Sequence, residues 1–391
     1  MRQVDHVTKV LSVVVIVGSF LLAHPTVKGD FVFGEPEPVA QLNSTSFDGS
    51  PCITADGLEL YFASNRDHGA DNCYTDIWVA TRTSTDEPWG APRNLGAPVN
   101  RPYGEEVNPC ISADGLELYF SDWFDGCSSR PGGHGGGDIW VSKRETREAE
   151  WDEPINLGLM VNSVGEHDGT PHLSSDGLEL YFFSNRAPGN GGDLYVSTRP
   201  TKDDPWGPAV DLGAPINTMA HQDYLSYPFL SHDGLSLFFT SVPWPWSAGA
   251  VAINGDMFVS TRPSRDDGWG VPSRLPVLSS ESNDEGLCFA RGDSTLYFAR
   301  SDPYQPLATV DPAVATSDLW QVEVTPIVDF DGNGEITLED LRMLIDNWGT
   351  DDTFFDIGPM PFGDDMVDIE DLKVFIAYWE KADTADLGES L

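Results

Sequence analysis

Basic residues, cysteines and long apolar runs are all scarce in this chain of 391 residues. Its 22 lysines and arginines stand against 63 aspartates and glutamates, which leaves a formal net charge of −41 at pH 7. A surface of this sign repels phosphate backbones, so the composition argues against nucleic acid as a partner. The acidic excess is compatible with two interpretations, solubility in a salty exterior or binding of divalent cations.

One apolar run, residues 10–23, follows Arg2 and Lys9 near the amino terminus. The run is about as long as the core of a signal peptide and is too short to span a membrane. We therefore predict a signal peptide over residues 1–29, with cleavage after Ala23 or Gly29. The mature chain is expected to be secreted, extracellular or periplasmic, and to have no membrane span.

A single phrase recurs five times and predicts the architecture. It reads Asp-Gly-Leu-Glu-Leu-Tyr-Phe at residues 56–62, and its final phenylalanines are Phe62, Phe120, Phe182, Phe239 and Phe298. Their spacing of 57 to 62 residues is typical of a β-propeller blade. Each unit contains four strand-like runs. The first, such as residues 50–53, is joined by a tight Asp-Gly turn to the second, the aromatic run at residues 58–62, and two further runs follow.

The run at residues 37–43 resembles the fourth strand of a unit but precedes the first unit, and no such run follows the fifth. We predict that it completes the last blade and closes the ring, which removes open sheet edges. The units resemble the WD40-like propeller repeats of secreted and periplasmic bacterial proteins, the kind also found in the Tol translocation system. This resemblance implies an all-β five-bladed propeller over residues 30–324 and is almost silent on function.

The five cysteines are too few to build the fold from disulfides. Three of them hold one place in the repeat, and a histidine holds it in the third unit: Cys52, Cys110, Cys288 and His172. We interpret them as buried core residues, and the alternative is a thiolate–imidazole metal site on the propeller axis. Cys73 and Cys127 lie in equivalent loops of neighbouring repeats and are candidates for a disulfide.

Two loops near the carboxyl terminus have the spacing of calcium ligands. Residues 329–340 place oxygen-bearing side chains at loop positions 1, 3, 5, 9 and 12 and glycine at position 6. The predicted ligands of this loop are Asp329, Asp331, Asn333, Glu335, Thr337 and Asp340. A longer second loop supplies Asp356, Asp364, Asp368 and Asp371. Amphipathic helices are predicted after the loops, at residues 341–348 and 372–379.

This pair of half EF-hands with aspartate at position 12 resembles a bacterial type I dockerin. The resemblance assigns residues 325–381 to a small α-helical domain and leaves residues 382–391 as an acidic tail. It implies calcium as the cofactor and a cohesin-like protein module as the partner. Ile345 and Ile376 are then candidate contact positions on the exposed helix faces.

Acids, arginines and tryptophans are predicted to lie together at one end of the propeller axis, which we call the mouth. In each repeat, the loop before the first strand and the loop after the second strand both emerge at this end. The weak catalytic candidates are the acids before the first strands, Asp48, Glu106, Asp168 and Asp284. The ligand-binding candidates are Trp123, Trp244, Trp246, Arg66 and Arg186. The acids are equally compatible with capping of turns or with an axial cation, and the arginines with bracing of loops.

Two functions are compatible with these residues. The first is a non-catalytic propeller that binds a carbohydrate or protein ligand and that the dockerin-like module docks into an extracellular, polysaccharide-degrading assembly. The alternative is a glycoside hydrolase or lyase that acts on polysaccharide with the acids at the mouth, because glycoside hydrolysis needs two carboxyl groups at a set separation.

Overall fold

The computed structural model describes residues 31–68, 74–122, 130–186, 191–218, 224–242, 255–290, 294–301, 317–330, 336–350, 355–358 and 366–388. The predicted signal peptide, the Cys73–Cys127 pair and Trp123, Trp244 and Trp246 lie outside these ranges. Within them, no helix combines the length and the apolar character that crossing a membrane requires.

The described residues form five antiparallel sheets arranged as the blades of a propeller, so the predicted fold is confirmed. The first strand of each blade lies at the axis; these strands are β3 (Asp48–Ile53), β7 (Glu106–Ile111), β11 (Asp168–Leu173), β15 (Tyr224–Leu230) and β19 (Asn283–Phe289). The second strands are β4 (Glu59–Ser64), β8 (Glu117–Asp122), β12 (Glu179–Ser184), β16 (Ser236–Val242) and β20 (Thr295–Ser301). The third strands are β5 (Asp76–Thr81), β9 (Asp138–Lys143), β13 (Asp193–Thr198), β17 (Asp256–Thr261) and β21 (Ser317–Pro326). The short outer strands are β6 (Arg93–Asn94), β10 (Ile155–Asn156), β14 (Val210–Asp211) and β18 (Ser273–Arg274).

Each second strand is buried on both faces, because the neighbouring blades cover its two sides. Successive residues of such a strand point to opposite faces, yet Tyr61 is 1% exposed and Phe62 is 0% exposed. The turn before this strand is fixed by Asp56, whose Oδ1 accepts the backbone N–H of Leu58 and the hydroxyl of Thr54. Gly57 occupies the left-handed region there (φ 71°), which glycine adopts without strain.

The amino-terminal segment closes the ring, as predicted. Strand β2 (Glu37–Pro38) pairs antiparallel with β21 of the last blade, and β1 (Phe31–Phe33) pairs with the far end of the same strand. The side-chain amide of Asn43 donates to the carbonyl of Leu319 and accepts its N–H, at 3.0 and 2.8 Å. Asn100 makes the same two bonds to Ile77 in the first blade. The amino-terminal segment is therefore hydrogen-bonded to the last blade in the same way as the outer segment of the first blade is to its third strand.

Two helices follow the propeller, α1 (Leu338–Asp346) and α2 (Ile369–Gly388). Each begins three residues before its predicted start, because the aspartate at loop position 12 belongs to the first helical turn. In α1, Asp340 Oδ2 accepts the N–H of the capping residue Thr337 at 2.8 Å, which completes a capping box. The backbone of α2 continues to Gly388, through most of the segment predicted as a tail, because no glycine or proline interrupts it earlier.

Candidate functional site at the propeller axis

The four predicted catalytic acids are buried partners of arginines. They are at most 1% exposed. Asp168 pairs with Arg186 at 2.6 Å, and Asp284 pairs with Arg300 at 2.5 Å. The remaining pairs join Asp48 to Arg66, and Glu106 to both Arg101 and Arg130.

A common arrangement holds these ion pairs in place. Four of the arginines lie over the phenylalanine of a second strand, with the guanidinium carbon 5.1–5.4 Å from the ring centre: Arg66, Arg130, Arg186 and Arg300. The second oxygen of Asp168 accepts the N–H and the hydroxyl of Ser163. Asp48 and Asp284 make the same bonds to a serine four residues before them. The oxygens of these acids are therefore occupied by bonds from within the protein. This favours the interpretation that the acids cap turns and that Arg66 and Arg186 brace loops.

A cavity of about 320 Å³ lies at the axis, on the mouth side of the blades. The acids do not line it, because they occupy the alternate face of the first strands. Residues one position before or after Asp48, Glu106 and Asp284 line it instead, and in the third blade Thr170 does so. The lining comprises Phe47, Ser50, Glu105, Val107, Asn108, Thr170, Tyr224, Ser226, Tyr227, Val242, Asn283 and Glu285.

The floor of the cavity is a ring of residues in the left-handed backbone conformation. Ser50, Asn108, Thr170 and Tyr227 have φ angles of 47–53°, and the fifth blade has Gly286 at 69°. Each sits where the pairing of the first and second strands shifts register, at a β-bulge. Positive φ is uncommon for residues other than glycine, and strain of this kind clusters at binding and catalytic sites.

Tyr227 breaks the five-fold symmetry of this floor. Gly286 lies next to this ring: a Cβ atom at Gly286 would be in van der Waals contact with Cδ1 of Tyr227, at 3.4 Å, and the left-handed backbone at φ 69° is what favours glycine here. The phenol lies beside Glu285 of the fifth blade and Ser50 of the first, and all three side chains line the cavity. Ser50 Oγ in turn donates to Asn108 Oδ1 at 2.8 Å, which continues the network into the second blade.

Glu285 is the carboxyl group with the most unusual environment in the cavity. The pKa of Glu285 is raised from 4.5 to about 7, mainly by burial and in smaller part by the nearby Asp284 carboxylate. A hydrogen bond from Asn283, at 2.9 Å, and the neighbouring phenol of Tyr227 oppose the shift. A carboxyl group that titrates near neutrality inside a cavity can exchange a proton or donate a hydrogen bond to a ligand.

Below this floor, the axis is closed by the three repeat cysteines and by His172 and Phe229, around a space of about 40 Å³. Cys52 Sγ accepts the N–H of Ile111 at 3.4 Å, and Cys110 Sγ accepts the N–H of Leu173 at 3.2 Å. Burial lowers the pKa of His172 to about 4. No metal-binding group of three His, Cys, Asp or Glu side chains occurs in the described part of the chain. These contacts favour the core interpretation of Cys52, Cys110 and Cys288.

The described calcium-ligand candidates lie around a small core of their own, which contains Phe330, Phe355 and Phe375. Asp340, Asp356 and Asp371 are 0% exposed, whereas Asp329 and Asp368 are partly exposed. Asp371 accepts the N–H groups of Ile357, Gly358 and Asp368 at 2.6–2.8 Å. The remaining candidates, Asp331, Asn333, Glu335 and Asp364, lie outside the described residues.

Sequence reasoning missed Glu285, Glu105 and Tyr227. It followed the repeat and selected the acids that recur, whereas the cavity is lined by neighbours that differ from blade to blade. A signal was present: Tyr227 and Gly286 depart from the Ser, Asn and Thr that fill their place in the first three blades. Period-2 alternation then places Glu285 on the axis side, next to Asp284 on the buried side.

The sequence matches no protein-family model and no curated protein. Among solved structures, TolB from Acinetobacter baumannii is 13% identical with a TM-score of 0.42, over 80% of this chain and 68% of that one. An alpha-L-arabinofuranosidase from Lactobacillus brevis is 14% identical with a TM-score of 0.46, over 73% of this chain and 92% of that one. Zg3597, a family 117 glycoside hydrolase of the marine bacterium Zobellia galactanivorans, is 12% identical with a TM-score of 0.45, over 76% and 91%. At these values the likeness carries no functional argument, and the propeller assignment rests on the sheets themselves.

Proposed function

We propose that this protein is an exported, non-catalytic propeller that binds the end of a glycan chain in its axial cavity. The observation that carries the proposal is the cavity itself. Its volume of about 320 Å³ is at the lower end of the range of small-molecule sites. Its lining combines hydroxyl, amide and carboxyl groups with the rings of Phe47, Tyr224 and Tyr227. Sugars need both parts, since their hydroxyl groups form hydrogen bonds and their apolar faces pack on aromatic rings.

Calorimetric titration with mono- and oligosaccharides tests this function. Tyr227→Phe removes one hydroxyl group from the lining, beside Glu285 and Ser50, and is expected to weaken binding about tenfold, the usual effect of one hydrogen bond. Tyr103→Phe removes a hydroxyl group from an exposed tyrosine outside the lining and should leave affinity unchanged. If both variants bind alike, or if no saccharide binds the wild-type protein, the cavity is not a glycan site.

Hydrolysis of a glycosidic bond is the second candidate, because two carboxyl groups share the cavity. Glu285, with a pKa of about 7, fits the general acid, and Glu105 is the remaining carboxyl group of the lining. Release of reducing ends from polysaccharides would support this activity if Glu285→Gln abolished it and exposed Glu281→Gln did not. If Glu285→Gln and Glu105→Gln both still hydrolyse the polysaccharide, residues other than these two acids carry out the reaction.

For the C-terminal module, we propose calcium-dependent docking to a cohesin-like protein. Three fully buried carboxylates in oxygen-rich loops fit a hard cation, because calcium prefers oxygen ligands and offsets the repulsion among acids. The described residues that would contribute to holding it are Asp329, Thr337, Asp340, Asp356, Asp368 and Asp371. Ile345 and Ile376, 51% and 42% exposed, present apolar surface to a partner. Pull-down of a cohesin module in calcium, and its loss with chelator and with Ile345→Asp, tests the docking.

A further inference from the structure

The lining of the axial cavity carries acids and aromatic rings, and no described residue that lines it is basic. Glu105 enters from the second blade and Glu285 from the fifth. Arginines pair with the recurring acids instead. Arg300, for example, binds Asp284, the residue before Glu285. The cavity therefore concentrates negative potential within a chain that is already strongly acidic.

The groups that face Glu285 strengthen this bias. On its own strand these are Asp284, which repels its charge, and Asn283, which donates to Oε2. On the adjacent fourth blade they are the phenols of Tyr227 and Tyr224, which are neutral because burial raises the pKa of both. Glu105 is the other acid of the lining. A sulfated, phosphorylated or uronic ligand would thus meet repulsion, whereas a cation would meet carboxylates and the electron-rich faces of the rings.

We propose that the axial cavity selects a sugar that bears a protonated primary amine and that the ammonium group is bound at Glu285. This inference rests on the glycan-binding function proposed above and narrows it to one chemical class. An ammonium ligand favours the ionised carboxyl group, so its binding should expel the proton that Glu285 holds below about pH 7. Affinity for an aminosugar whose amine stays protonated at pH 8, such as 6-amino-6-deoxyglucose, is therefore expected to fall ~tenfold from pH 8 to pH 6, whereas affinity for a neutral sugar should stay nearly constant.

The experiment titrates the full-length protein with 6-amino-6-deoxyglucose, glucosamine, glucose and glucuronate at pH 6, 7 and 8. The inference expects at least one aminosugar to bind tenfold more tightly than glucose at pH 7, and glucuronate to bind most weakly. Glu285→Gln should abolish both the preference and its pH dependence, and exposed Glu281→Gln should keep them. Thermal unfolding of both variants confirms that they are folded.

The outcomes separate this inference from the function on which it rests. If glucose or glucuronate binds as tightly as the aminosugars, or if the preference survives Glu285→Gln, the ammonium site is refuted while glycan binding stands. If none of the four sugars binds, both are refuted.

Discussion

Replacing Glu285 with glutamine is expected to stabilise the propeller at alkaline pH and not in acid. The pKa of Glu285 rises from 4.5 in an ordinary environment to about 7 in the fold. A raised carboxyl pKa means that the folded protein binds the proton more tightly, so wild-type stability falls as the pH rises from 4.5 to 7. The full difference is ~3 kcal/mol above pH 7 and is absent below pH 4.5. Glutamine carries no charge at any pH and keeps an oxygen for Asn283, so it avoids this cost.

Urea unfolding of both proteins between pH 4 and pH 8.5 measures the effect. We expect equal free energies of unfolding at pH 4 and an advantage of up to ~3 kcal/mol for Glu285→Gln at pH 8, or roughly 5 °C in melting temperature. Asp138, whose pKa burial raises to about 6, contributes equally to both proteins and cancels in the difference. An advantage that is the same at pH 4 and pH 8, or a loss of stability at pH 8, would refute the reasoning, because neither has the sign of a buried ionising carboxyl group.

Three further outcomes are expected from the same structure. Asn43→Ala removes both bonds to Leu319 and should destabilise the propeller by ~2 kcal/mol, about as much as Asn100→Ala; an unchanged urea midpoint would show that ring closure adds nothing. Arg199→Ala should cost ~2 kcal/mol because Glu117 of the preceding blade loses a buried partner at 2.9 Å and keeps only the more exposed Lys143, whereas Arg147→Ala, at a more exposed pair, should cost under ~1 kcal/mol; equal losses would contradict this ranking. Amide exchange over residues 328–381 should slow in millimolar calcium and leave the propeller unchanged, and identical exchange with chelator would remove the calcium hypothesis.

The fold was predictable because the same local sequence signals recur in every blade. The Asp-Gly turn predicts a tight turn and the alternating aromatic run predicts a strand, five times over. The run at residues 37–43 predicts the outer strand that closes the ring. Helix starts were predicted less well. Helices α1 and α2 begin inside the ligand loops, because the carboxyl group of Asp340 or Asp371 accepts backbone N–H groups at the first turn.

The contacts between blades were not predictable from the repeat alone. Arg199 follows the third strand of its blade, stacks 4.4 Å from the ring centre of Trp206 and reaches Glu117 of the preceding blade. Arg144 repeats this with Trp151 and Glu59. The sequence shows the arginine, the tryptophan and the glutamate in both of these units, but the partners lie 82 to 85 residues apart. Only the circular order of the blades brings them together.

The floor of the candidate site differs from blade to blade, with Tyr227 and Gly286 furthest from the small polar residues of the first three blades, and this departure is the strongest reason to assign it a function. A propeller that served only as a scaffold would gain from five equal axial residues, because equal residues pack in a symmetric ring. Here the fourth blade carries the aromatic Tyr227 and the fifth carries Gly286 and Glu285, so the ring of Tyr227 lies beside the one carboxyl group of this part of the floor. The acids that do recur are neutralised by arginines, whereas Glu285 stands where its charge destabilises the fold at neutral pH. Stability alone does not account for such a carboxyl group, and its presence beside a strained, asymmetric floor is what a ligand-binding role explains.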